Sequence, residues 1–182
     1  MIGLDPGIAN TGFGVVRTSG SRMVALDGGV IETPPEQASE DRLSHIYSSL
    51  CELLDWHEPK AMALEDLFFG RNISSAVSVG QARGVALLAA SRRAIPCFDY
   101  TPQAVKTGVC GSGSAGKDQV QRMVASLLGL PEPPSPDHAA DAFAVAICHA
   151  AGEGTRQATA EIGRPRVGTA PVATSAGQRL AG

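Results

Sequence analysis

Asp5 ends the short apolar run "MIGLD", and the chain breaks at once on Pro6 and Gly7. Glu65 lies near the end of a second apolar run, "AMALEDL" (61–67). His138 and Asp141 stand three residues apart in "HAADAFAVAICHA", a spacing that turns both toward one side of a helix. Carboxylates brought together without a cation repel one another and raise one another's pKa. A divalent ion removes that conflict, and oxygen ligands that leave coordination positions open suit Mg²⁺ or Mn²⁺. Two such ions about 4 Å apart can activate a water and stabilise the leaving oxygen of a phosphodiester. The expectation is that acids from distant parts of the chain meet in one pocket and trap cations there.

Each residue also has an ordinary explanation. An Asp at a strand end forms turns or caps helices, Glu65 beside Asp66 fits a solvated strand end, and His138 with Asp141 fits an exposed helical pair. Asp137 reads as the N-cap of that helix. Asp141 resists the ordinary explanation. It sits among small apolar residues on a helix that otherwise reads as buried, and a buried charge needs a partner.

The elements that must position these groups follow from periodicity. Residues 2–5, 12–18 and 23–32 read as three strands joined too tightly for a crossover helix, hence an antiparallel meander. Ser39 is placed to cap a helix with Glu40 and Asp41 in its first turn. Leu43, Ile46, Tyr47, Leu50, Leu53 and Leu54 line one face of it, and Pro59 ends it. Residues 61–67 form a fourth strand, Asn72 caps a long helix through about Arg93, and "IPCFDY" (95–100) is a fifth strand. Thr101 and Pro102 are the cap and first-turn proline of a short helix. A Gly/Ser loop (111–116) leads to a helix over about 117–128. A stiff loop, "LPEPPSP" (130–136), precedes a last helix from Asp137 to about Ala150. The order βββ-α-β-α-β-α-α-α implies an α/β fold with a mixed sheet and helices on its faces. Residues 1–151 read as one domain. Residues 152–182, where Arg156, Arg164, Arg166 and Arg179 stand against Glu153 and Glu161, read as a flexible tail.

Composition narrows the function classes. The chain has 182 residues, 43% of them hydrophobic, enough for one domain with a real core. No apolar run approaches the roughly 20 residues of a membrane-spanning helix, and no secretory signal is visible. Cys51, Cys97, Cys110 and Cys148 show no metal or disulfide spacing, which fits a cytoplasmic protein. The net charge of −3 argues only mildly against nucleic acid, because metal-binding acids can coexist with a local basic surface.

The chain resembles the RuvC-type Holliday junction resolvases, crossover junction endodeoxyribonucleases of the ribonuclease-H-like superfamily. The segments that carry the likeness are "GLDPGIANTGFGVV", "ALEDLFFGRNISSAVSVGQARGVAL", "YTPQAVKTGVCGSGSAGKDQVQRMV" and "HAADAFAVAICHA". They cover most of residues 1–150 in the family's order. The resemblance implies a five-stranded ribonuclease-H-like sheet, an antiparallel three-strand meander plus two parallel strands, flanked by helices. It implies that Asp5, Glu65 and Asp141 are catalytic metal ligands for two Mg²⁺ ions, with Mn²⁺ able to substitute. His138 falls where some members carry aspartate and others histidine, so it is either a metal ligand or the acceptor of a proton from the attacking water. Phe68 matches the aromatic that stacks on an unpaired base at the junction centre; Phe69 has no assigned role. Lys106 and Lys117 match residues that contact scissile-strand phosphates, and Arg71 is a weaker phosphate candidate. The family is a homodimer that works with a RuvAB-type branch-migration complex. The helix with Ala76, Gly80 and Gly84 at steps of four is the expected interface, since small residues permit close approach.

Two rival functions compete with this reading, a phosphate-binding ATPase or kinase and a binding module without catalysis. "GSGSAGKD" (111–118) fits the start of a phosphate-binding P-loop, but Asp118 replaces the required Ser or Thr and a helix precedes it. "DPGIANTG" resembles the phosphate turn of actin-like ATPases and sugar kinases, but the chain is too short for their duplicated core. A non-catalytic junction-binding module is the other rival.

Overall fold

The computed structural model describes residues 1–20, 22–66 and 73–160. Three strands open the chain, β1 (Ile2–Asp5), β2 (Asn10–Ser19) and β3 (Arg22–Glu32). They are followed by α1 (Ser39–His57), β4 (Met62–Glu65), α2 (Ile73–Ser91) and β5 (Cys97–Tyr100). Three helices complete it, α3 (Pro102–Cys110), α4 (Lys117–Leu128) and α5 (Asp137–Ala160). The strands form one sheet in the order β3-β2-β1-β4-β5. β1–β2 and β2–β3 pair antiparallel, while β1–β4 and β4–β5 pair parallel. This is the expected mixed sheet, with the short hairpin joins giving the antiparallel part and the helical crossovers the parallel part.

Strand alternation divides the side chains between two cores. Ile2, Leu4, Val15, Ile31, Met62 and Leu64 face α1 and α2, where Ile46, Leu50, Leu54 and the α2 alanines 82, 86, 89 and 90 are buried. Val16 and Ala63 face the other way, with residues of α3, α4 and α5. Gly3 and Gly12 lie directly under α5. A Cβ on Gly3 would sit 2.2 Å from the Ala142 carbonyl oxygen, and one on Gly12 would sit 2.0 Å from that of His138. Only glycine permits backbones to approach this closely. The small residues Ala139, Ala140, Ala142 and Ala146 of α5 are buried on the opposing side.

Several boundaries differ from the sequence expectations. Ala38, not Ser39, occupies the N-cap of α1, and no side chain caps it. Ser39 is already helical. Glu58 takes a left-handed conformation at the C-cap, its N–H bonding to the Leu54 carbonyl just before Pro59. The strand expected over 61–67 is assigned from Met62 to Glu65, and α2 ends at Ser91 rather than Arg93. α5 continues to Ala160, beyond the expected end near Ala150. Asp137 is the first residue of α5 rather than its cap, because the Ala139 and Ala140 N–H groups already bond to the Pro136 carbonyl, at 2.9 and 3.4 Å. Thr101 caps α3 as expected, its Oγ1 accepting from the Ala104 N–H at 3.2 Å. Asn72, the expected cap of α2, lies outside the described residues.

Candidate active site

Asp5 and Glu65 end two adjacent parallel strands. The register pairs Ile2 with Met62, Gly3 with Ala63 and Leu4 with Leu64, so the two acids come next in step. Both share the strand face of Gly3 and Ala63, which is the face α5 covers. The first turn of α5 brings His138 and Asp141 to the same end of the sheet. Strand alternation and helix spacing therefore account for the convergence, and Gly12 sets how close it becomes.

The β1–β2 turn is held from several sides. Thr11 Oγ1 donates to the Gly7 carbonyl at 2.7 Å, and Thr33 Oγ1 donates to that of Ile8. Arg42 Nε in turn donates to Thr33 Oγ1 at 2.8 Å. The end of β4 is anchored by Arg83 of α2, which donates to the Glu65 carbonyl at 3.3 Å and pairs with Asp99. These supports were not anticipated from the sequence.

His138 Nδ1 donates to Asp5 Oδ2 at 2.6 Å, across 133 positions of chain. In a neutral imidazole this leaves Nε2 as the nitrogen with the free lone pair. Glu65 and Asp141 share a cleft of about 220 Å³ with Lys106, Lys117, Pro102 and Val120. Burial raises the Glu65 pKa to about 7, with repulsion from Asp5 and Asp141 adding to it and Lys117 and Lys106 opposing it. Burial also raises Asp141, while Lys117 pulls it down and Asp5 pushes it up. Lys117 Nζ lies 3.4 Å from Asp141 Oδ2. The acids thus act on one another through a shared field that a cation would relieve.

The donor set, three carboxylates and an imidazole, fits a hard divalent ion by its chemistry. The expected ion cage is not preformed, however. Among the described residues, no three His, Cys, Asp or Glu side chains are arranged to hold a metal ion. Asp5 Oδ2 is engaged by His138 and Asp141 Oδ2 by Lys117.

The remaining sequence candidates separate clearly. Lys106 and Lys117 line the acid cleft. Phe68, Phe69 and Arg71 lie outside the described residues. Asp137 and Gln121 were missed as neighbours of the site; Asp137 Oδ2 lies 2.9 Å from Lys117 Nζ. Residues 111–116 follow helix α3 and precede α4, which excludes the strand–loop–helix setting of a P-loop. Among the described residues, no helix is long and apolar enough to cross a membrane.

Comparison with known proteins agrees with this geometry. The family described as "Crossover junction endodeoxyribonuclease RuvC" matches residues 1–149. A protein of that name from Pelotomaculum thermopropionicum is 49% identical over 82% of this chain and 92% of its own length. Its counterpart from Rubrobacter xylanophilus is 47% identical over 91% of this chain and 92% of its own. The Thermus thermophilus RuvC in complex with Holliday junction substrate superposes with a TM-score of 0.82 at 38% identity, covering 86% of this chain and 96% of that one. A match of this extent, over residues 1–149 and so over every residue that lines the acid cleft, settles kinship: the chain belongs to the RuvC family of crossover junction endodeoxyribonucleases.

Proposed function

We propose that this chain cuts four-way DNA junctions by hydrolysing phosphodiesters with two Mg²⁺ ions, Mn²⁺ being able to substitute, in recombination and repair. The observation that carries the reading is the meeting of Asp5, Glu65 and Asp141 at one end of the sheet, with Glu65 raised by burial and by the other two. Divalent metal would supply Lewis-acid activation of water and charge stabilisation at the leaving oxygen. Asp5, Glu65 and Asp141 would hold it, with His138 as a fourth ligand or as the acceptor of the water's proton. For the second role the Asp5–His138 bond matters, because it orients the ring and leaves Nε2 as the accepting nitrogen. Lys106 and Lys117 would bind phosphates of the scissile strand beside these acids. Phe68 would stack on an unpaired base and Arg71 would contact a phosphate.

The protein would act as a homodimer, so that two sites related by a two-fold axis address two equivalent strands. Val77 and Leu88 of α2 are 56% and 53% exposed. With Gly80 and Gly84 they form a stripe at helical spacing that a second copy could cover. A RuvAB-type branch-migration complex would be the partner in the cytoplasm, with residues 1–151 as the nuclease domain and 152–182 as a tail.

A synthetic immobile four-way junction, incubated with and without Mg²⁺, tests the reading. Paired nicks in strands of like polarity are expected only with the ion. Asp5→Asn is expected to abolish nicking and leave junction binding intact; full cleavage by that variant would overturn the assignment. One rival is a non-catalytic junction binder. Tight binding without nicks in either Mg²⁺ or Mn²⁺ would establish it.

A further inference from the structure

Lys117 has two acidic neighbours, and the nearer one is outside the acid cleft. Its Nζ lies 2.9 Å from Asp137 Oδ2 and 3.4 Å from Asp141 Oδ2. The other oxygen of Asp137, Oδ1, accepts from Gln121 Nε2 at 2.9 Å. Lys117 and Gln121 are four residues apart on α4 and project on one side of it. Two donors from one helix therefore grip both oxygens of a carboxylate that opens the next helix, fixing its orientation. A lysine stem is long and flexible, and a half-exposed one at 51% exposure spends little time at any single point unless something holds it.

We propose that Asp137, oriented by Gln121, is a positioning residue that holds the Lys117 ammonium at the rim of the acid cleft, from where it passes from Asp141 to a phosphate of the bound strand. The inference rests on the phosphate role given to Lys117 above. It explains why the ammonium does not sit fully on Asp141, where it would compete with a cation for the same oxygen. When that oxygen is taken up, Asp137 keeps the displaced Lys117 beside the substrate instead of releasing it into solvent.

Charge alone makes the opposite prediction, which gives the test its power. Removing a negative charge beside DNA should tighten binding. Under the proposal, Asp137→Asn weakens junction binding measured in EDTA and slows single-turnover nicking in Mg²⁺, each by roughly threefold or more, as expected for directly coupled neighbours. Lys117→Gln weakens both as well, and adding Asp137→Asn to Lys117→Gln costs nothing further. Asp137→Glu restores part of the loss, and Gln121→Ala reproduces it more weakly. Tighter binding by Asp137→Asn, or an equal loss in the Lys117→Gln background, overturns the inference. If Lys117→Gln itself changes nothing, the phosphate role of Lys117 fails and this inference with it. If Lys117→Gln has its effect and Asp137→Asn has none, this inference fails alone.

Discussion

Glycines appear under α5 and along α2, and the two groups do different work. Gly3, Gly12 and Gly14 press against α5, with the space for a Cβ already filled by Ala142, His138 and Phe143. Among the described residues, nothing lies within 4 Å of where a Cβ on Gly80 or Gly84 would stand. The first group brings two backbones together and so determines where His138 and Asp141 sit relative to Asp5. The second leaves a smooth strip, half-buried at Gly80 and exposed at Gly84, on a helix whose alanines already pack on the other side. A glycine pattern in sequence thus signals close approach without saying whether the neighbour belongs to the same chain.

Substitution of Gly12 should break this comparison most visibly. Gly12→Ala forces a methyl group into the His138 carbonyl and displaces the start of α5. Overpacking of this kind costs roughly 1–3 kcal/mol, and a misplacement of about 1 Å at a reacting centre can cost about 100-fold in rate. Denaturant unfolding and the nicking rate should therefore fall together. Unchanged values would mean that α5 is not held where the structure puts it.

The acid end of α5 should also make stability depend on pH in a way the α2 side does not. Glu65 has its folded pKa raised from 4.5 to about 7. Between those values the folded state binds more protons than the unfolded state, so stability falls as pH rises and levels off above about 7. The raised Asp141 acts in the same direction. Thermal unfolding in EDTA should show this slope, Glu65→Gln should remove most of it, and divalent cation should flatten it. A wild-type slope of the opposite sign would contradict the crowding of negative charge at this site.

The smallest effect sharpens the other half of the comparison. Gly84→Ala should stabilise α2 by up to about 1 kcal/mol under conditions where the protein is monomeric, since alanine is the better helix former and meets no obstacle. Sedimentation should show weaker self-association by the same variant, because the added methyl group stands on the proposed interface. Equal association by both proteins would place the dimer contact elsewhere.

Individual residues show how far the sequence could be read. Asp141 stood out alone, as a charge on a helix that reads as buried; Asp5 and Glu65 each had an ordinary explanation and stood out only as members of the set and through the family resemblance. Thr101 was recognisable as a cap because Pro102 follows it. Ser39 and Asp137 were each assigned as caps one residue late, since a cap is a backbone geometry that neighbouring polar residues all imitate. Arg83, Gln121 and the contact of Asp137 with Lys117 gave no local signal. They are ordinary polar residues on helices, and their partners are set by how one helix lies against the next element.

The sequence by itself determined the order of elements, the antiparallel meander at its start and the acids at the strand ends. All three follow from periodicities of two and 3.6 residues, which are properties of adjacent positions. Only the tertiary structure decided that His138 reaches Asp5 and that Lys117 stands between Asp137 and Asp141. Those outcomes depend on distances between elements far apart in the chain, and a change of an ångström in helix packing, invisible to any local pattern, decides whether two side chains meet.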